Sequence, residues 1–247
     1  MKTISLGLLV AAFLVWGDNA HAADLGNLYG YVDWTSDYRF NAASESDRHS
    51  VIQGGLHWAA PDDFYAGVFM SHVDFDDYRG TGTEIDLYGG KHIRWDTNDL
   101  NLEVLYGDYP DTAGHPSYLP PGTILPTYNF SEISAELTHS FGALGLGGRL
   151  IVEPRPDAHG GMFTSVGGSA SYAVNDWLSA SAHATRMWQD RGPQGWSGDA
   201  GFTATWRLQW VFDLRYYATD ITRADCYGTN WCGPAVVAKI TYQFQVL

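Results

Sequence analysis

Residues 83–95 read Thr-Glu-Ile-Asp-Leu-Tyr-Gly-Gly-Lys-His-Ile-Arg-Trp. Every second position from Ile85 gives Ile85, Leu87, Gly89, Lys91, Ile93 and Trp95, and the positions between give Glu84, Asp86, Tyr88, Gly90, His92 and Arg94. Successive side chains of a strand point to opposite faces, so this is a strand with one dry and one wet face. The chain before it repeats the split. Val32, Trp34, Tyr38 and Phe40 alternate with Tyr31, Asp33, Thr35, Asp37 and Arg39, and the run from Tyr29 to Trp95 holds four such strands. The rest of the chain decides whether the dry face meets a protein core or lipid.

At the start, Lys2 precedes an apolar run from Ile4 to Trp16 and a small-x-small site, Ala20-His21-Ala22. This is the pattern of a secretory signal peptide over 1–22, with an apolar run short of the ~20 residues of a spanning helix. Residues 23–247 then form one exported domain, since nothing in them looks like a linker. No later stretch reaches helix-spanning length. A membrane chain of this kind must be a closed barrel, in which every backbone N–H and C=O finds a partner on a neighbouring strand. The expected address is a Gram-negative outer membrane, with its lipid as partner.

Aromatic residues make up 15% of the chain and charged residues only 17%, with 10 Trp and 15 Tyr supplying the girdles such a barrel needs. The formal charge is −14 from 28 acidic and 14 basic residues, and losing Lys2 and Asp18 leaves it unchanged. A nucleic-acid partner is not expected, because phosphate binding needs clustered Lys and Arg. A soluble acidic secreted protein is the competing reading of composition alone.

Alternation and turn residues place twelve strands, within a range of ten to fourteen, at about 28–40, 49–60, 64–75, 83–95, 100–109, 128–141, 144–154, 160–174, 177–189, 198–208, 210–220 and 234–247. Their connections alternate in length. Short turns fall at Pro61-Asp62-Asp63, Asp96-Thr97-Asn98-Asp99, Gly142-Ala143, Asn175-Asp176 and near Gln209, and longer loops at 41–48, 76–82, 110–127, 155–159, 190–197 and 221–233. Up-and-down outer-membrane barrels show this alternation of periplasmic turns and outer loops, and Greek-key sandwiches have no reason to. The loop 110–127 carries Pro110, Pro116, Pro120, Pro121 and Pro126, a stiff segment that either folds into the barrel mouth or stands outside it. Cys226 and Cys232 are expected to close a disulfide at a loop tip, as an even pair in an exported chain.

Several segments together resemble the TorF family of proteobacterial porins. They are Thr35-Ser36-Asp37-Tyr38-Arg39-Phe40, Gln53-Gly54-Gly55-Leu56, Phe64-Tyr65-Ala66-Gly67-Val68-Phe69, Val73-Asp74-Phe75 and Glu84-Ile85-Asp86-Leu87-Tyr88-Gly89-Gly90, followed by Tyr106-Gly107-Asp108-Tyr109-Pro110 and Asn129-Phe130-Ser131-Glu132. The likeness covers about the first half of the exported chain. Asn41-Ala42 stand where the family usually continues with Arg-Gly, and the terminal Phe lies inward at Phe244. The resemblance implies an outer-membrane barrel with a pore function and identifies no solute.

With the dry faces toward lipid, the expected pore lining includes Asp33, Asp37, Arg39, Glu84, Asp86, Arg94, Glu103, Glu136, Arg207, Asp213, Arg215 and Lys239, joined by Glu132, Arg149 and Glu153. Acids outnumber bases there, which in open water enriches cations and small cationic solutes. In a narrow lumen the same groups pair and close it. Asp37, Arg39, Glu84, Asp86 and Arg94 would form one polar ladder. Lys91 falls on the dry side and must snorkel unless the register shifts.

The competing classes are a closed barrel that binds through Tyr227 and Trp231 at its disulfide tip, and an outer-membrane hydrolase using Ser71-His72 with Asp74, Asp76 and Asp77, or His139-Ser140. Neighbouring Ser and His point to opposite faces of a strand, which argues against a dyad. Neither a cofactor fingerprint nor a metal-ligand pattern is present, so no cofactor is expected. Small hydrophilic solutes are the expected cargo of a non-enzymatic pore, and the sequence carries no reading of its oligomeric state.

Overall fold

A computed structural model describes residues 26–41, 43–75, 81–110, 128–154, 161–190 and 192–247. The expected signal peptide, the proline-rich loop 111–127, and Asp76 and Asp77 lie outside the described residues. The strands are β1 (Asn27–Thr35), β2 (Arg39–Phe40), β3 (Ala43–Ser44), β4 (Val51–Ala59), β5 (Phe64–His72), β6 (Thr83–Trp95), β7 (Asn98–Asp108), β8 (Phe130–Phe141), β9 (Leu144–Glu153), β10 (Phe163–Ala173), β11 (Leu178–Gln189), β12 (Gly195–Trp206), β13 (Trp210–Thr219) and β14 (Ala235–Gln245). Twelve of them close one antiparallel barrel, each paired with its neighbour in the chain. β2 and β3 form a separate small hairpin. The seam joins β1 to β14, with Tyr29 opposite Gln245 and Thr35 opposite Lys239.

The expected alternation of connections holds. One barrel end carries both strand termini and the tight turns, where Asp62, Asp63, Asp96, Gly142, Arg207 and Leu208 adopt positive φ. At Asn175 the side-chain oxygen accepts from the backbone N–H of Trp177 (3.0 Å) and Leu178 (2.9 Å), so the side chain replaces a backbone partner and fixes the bend. The strand ends joined by the longer connections lie at the other end.

The dry faces point outward. Ile52, Leu87, Val104, Ile133, Phe202 and Leu214 are exposed around the circumference, flanked at the turn end by Trp95, Trp177, Trp206 and Trp210 and at the loop end by Trp34, Trp188, Trp196 and Tyr216. An exposed apolar band between two aromatic rings is the surface of a barrel solvated by lipid. No helix among the described residues is long and apolar enough to cross a membrane. The register at Lys91 does not slip: it stays outward opposite Phe64, with its ammonium 4.2 Å from the centre of that ring. Arg186, also outward, lies 5.7 Å from the Trp188 ring in the same way. Lys91 and Arg186 therefore both rest on outward aromatics near the barrel ends, where an ammonium or guanidinium can reach the interface.

The first strand is shorter than expected. It ends at Thr35, and Tyr38 and Phe40, read as part of the dry face, turn into the barrel mouth, 5.9 Å from Phe69 and 6.3 Å from Phe163 between ring centres. The cause is local. The Asp37 carboxylate accepts from Arg39 Nε (2.7 Å) and Ser44 Oγ (2.6 Å), which folds the chain back on itself and draws it off the ladder.

Candidate functional site

Inside the barrel, the wet faces separate into two walls of different electrostatic character. On β11 to β14 and β1 each acid lies beside a cation. Arg215 binds Asp199, lies 3.1 Å from Asp213 and donates to Ser181 Oγ (2.5 Å), while His183 Nδ1 is 2.8 Å from Asp199. Thr203 Oγ1 donates to Asp213 (2.6 Å), and Lys239 reaches across the seam to within 3.2 Å of Asp33, which is 2% exposed. These groups hold one another.

On β6 to β9 the wall is acidic. Glu84, Asp86, Glu103, Glu132, Glu136 and Glu153 share it with Arg149, which lies 3.4 Å from Glu132. Glu84 is 3% and Asp86 8% exposed. Tyr109 Oη donates to Glu84 Oε1 (2.8 Å), but Glu84 Oε2 and Asp86 Oδ1 have no hydrogen-bond partner among the described residues. Buried carboxylate oxygens without donors are costly to keep.

Below these acids runs an inward aromatic ladder. His57 and Tyr65 stack at 5.4 Å between ring centres, Tyr88 lies 6.0 Å from His57, and Tyr65 lies 5.4 Å from His92. Tyr65 Oη donates to Glu103 (2.9 Å) or Asn101 (2.8 Å). The rings lie over glycines of the next strand. A Cβ at Gly67 would overlap the Tyr88 ring, and one at Gly90 would overlap the Tyr65 hydroxyl, so the strand glycines of this wall serve close packing.

Above the acids, the first and last loops fold inward together. Arg48 donates to the carbonyls of Asn230 (3.0 Å), Gly233 (3.3 Å) and Pro234 (3.1 Å), and Trp231 Nε1 donates to Asp47 (2.8 Å). The Cys226–Cys232 disulfide closes the last loop as expected, and both cysteines are buried against Ile151, Phe163, Met187 and Ile221. Trp231 is thus a packed element of the mouth and no free contact surface, whereas Tyr227 is exposed.

Between loops and acidic wall lies a cavity of about 530 Å³. Its floor presents Glu84, Asp86, Glu132 and Glu153, with Glu45 from the first loop, and no Lys or Arg lines it among the described residues. Its sides include Tyr38, Phe75, Tyr109, Tyr128, Phe130 and Trp231, and Phe75 lies 5.5 to 6.3 Å from the rings of Tyr128, Tyr109 and Trp231. Burial and the charges of Glu84, Glu153 and Asp86 hold the Glu45 carboxyl well above the usual carboxylate range.

The expected ladder of Asp37, Arg39, Glu84, Asp86 and Arg94 is therefore not one structure. Asp37 and Arg39 pair within the first loop, Glu84 and Asp86 floor the cavity, and Arg94 binds Asp63 and Asp99 at the turn end. Arg207 is off the wall altogether: it occupies the tight turn after β12, 4.4 Å over the Trp206 ring. Asp33, Glu103, Glu136, Asp213, Arg215 and Lys239 do belong to the inward-facing set. The aromatic side of the cavity escaped the sequence reading. Tyr38, Phe75, Tyr109 and Trp231 sit in loops, where no period marks direction.

Among the described residues the hydrolase candidates do not assemble. Ser71 is buried, accepts from Gln53 Nε2 (2.9 Å) and donates to the His72 carbonyl (2.9 Å), while the His72 side chain is exposed. His139 lies at the turn end with Nδ1 2.8 Å from Asn98 Oδ1.

A family model described as bacterial protein of unknown function (Gcw_chp) matches residues 20–244. None of the curated proteins compared by sequence is a significant match. In fold the chain is similar to the KdgM porin in complex with disordered oligogalacturonate, with a TM-score of 0.57 and 4% identity over 88% of this chain and 98% of that one. It is also similar to an outer membrane channel from Pseudomonas putida F1, with a TM-score of 0.53 and 9% identity over 94% of this chain and all of that one.

Proposed function

The chain belongs to the bacterial family of unknown function Gcw_chp and folds as a porin-type barrel, and from this we propose that it is an outer-membrane pore for small hydrophilic solutes with a preference for cations. The observation that carries the reading is the acidic wall. At the loop-end entrance Glu84 and Asp86 of β6 stand with Glu132 and Glu153 around a cavity that no Lys or Arg lines among the described residues, whereas on the opposite wall Asp33, Asp199 and Asp213 each lie beside Lys239 or Arg215. In a confined aqueous path such a one-sided excess raises the local concentration of cations. The likeness to the TorF porins over the first half of the chain agrees with this role. So does the pattern over 1–22, which would export residues 23–247 as one barrel domain to a Gram-negative outer membrane. No covalent chemistry is part of this function.

The test is conductance in planar bilayers under a salt gradient. Discrete current steps with a reversal potential favouring cations are expected, and Glu84→Gln with Asp86→Asn should move that potential toward neutrality. A folded, inserted barrel that never conducts would overturn the reading.

A further inference from the structure

We infer that the entrance cavity is a binding site for organic monocations that carry an apolar or aromatic body, a solute class no feature of the barrel wall alone would select. The inference deepens the pore reading and rests on it for the side from which a solute arrives. Three observations converge. The first is charge: Glu84 and Asp86 are more than nine-tenths buried, each has a carboxylate oxygen without a partner among the described residues, and both line the cavity. With Glu45, Glu132 and Glu153 they surround a space that no Lys or Arg lines among the described residues. Like charges confined together repel, and a cation among them relieves that repulsion.

The second is the aromatic side. Separate surfaces of acid on the floor and ring on the wall suit a ligand whose charge and apolar body are joined, because an aromatic face attracts a cation most strongly once it is desolvated. Phe75, Tyr109, Tyr128 and Trp231 pack into one cluster beside the floor.

The third is what the site is not. A hard metal ion needs several oxygens converging on one point. Among the described residues the vestibule carboxylates do not converge in this way; the group that does, Asp47, His49 and Asp74, belongs to the loops outside the cavity lining. The cavity, about 530 Å³, is of the size that encloses small organic ligands.

Calorimetry on the full barrel refolded in detergent tests this, with three probes: benzyltrimethylammonium, tetramethylammonium and benzyl alcohol. The first joins ring and charge, and each of the others keeps one. Benzyltrimethylammonium is expected to bind about tenfold or more tighter than either, as a combined cation–π and carboxylate site requires. Glu84→Gln with Asp86→Asn should remove about tenfold of that affinity, and Phe75→Leu should bring it toward that of tetramethylammonium. Equal affinity for the three probes, or for the cation and benzyl alcohol, overturns the inference on the unmodified chain even where a variant fails to refold. Binding without conductance would overturn the pore reading and leave this site standing; selective conductance without binding would do the reverse.

Discussion

Whether lipid solvates the outer face can be tested at Ala182, an exposed outward position on β11 between Ala170 and Ala200 of the neighbouring strands. Trp177 and Trp188 mark the two aromatic rings on this strand. Their eleven-residue separation is about 36 Å along the strand, or about 28 Å along the barrel axis at a tilt of about 40°, close to the ~25 Å apolar band of such barrels. Ala182 stands five residues from Trp177, about 13 Å up, which is the midplane. An arginine there should cost about 2–4 kcal/mol, whereas near the interfaces the cost falls to about 0–1 kcal/mol. Arg186, beside Trp188, supplies the internal control: Arg186→Ala should change stability by less than about 1 kcal/mol. The assay is denaturant unfolding of the barrel in phospholipid vesicles, followed by tryptophan fluorescence. An Ala182→Arg cost below about 0.5 kcal/mol, the ordinary range for a water-exposed surface position, would refute the lipid-facing assignment.

Lys239→Met leaves the buried Asp33 carboxylate at the seam without its cation and should destabilise the barrel by about 1–3 kcal/mol; adding Asp33→Asn should recover most of the loss in the same unfolding assay. Glu45 has a raised folded pKa, so its contribution favours the folded loop at low pH and is lost as pH rises through that value. Cation binding needs the ionised form, facing Glu84, Glu153 and Asp86 as well as Tyr38 and Tyr109. Benzyltrimethylammonium affinity should therefore climb as pH rises above the ordinary carboxylate range, and Glu45→Gln should flatten that climb. Reduction of Cys226–Cys232 should change barrel unfolding little while raising protease cleavage within 220–234, because the bridge closes a loop and takes no part in the strand ladder.

The strand wall was legible in the sequence because its information is local. A period of two assigns each side chain of β6 to the inner or outer face without knowledge of any other strand, and for that reason Glu84 and Asp86 face in and Lys91 faces out as the letters indicate. Turns were equally local, carried by Asp62, Asp96, Gly142 and Asn175. The same rule failed at Tyr38 and Phe40, where alternation continued in the letters after the backbone had left the ladder, drawn off by the side chain of Asp37.

What only the tertiary structure decided was the company each inward group keeps. Parity turns Arg215, Lys239 and Glu84 alike to the inside, but barrel closure brings Lys239 to Asp33 across the seam and leaves Glu84 and Asp86 beside a cavity that no Lys or Arg lines among the described residues. Arg48 and Trp231, far apart in the chain, tie the first and last loops over that wall and set an aromatic side above an acidic floor. The sequence determined a barrel with a wet interior, since side-chain direction in a strand is a property of neighbouring residues. The entrance site had to await the closed structure, since it depends on loops whose direction is fixed by contacts between distant parts of the chain.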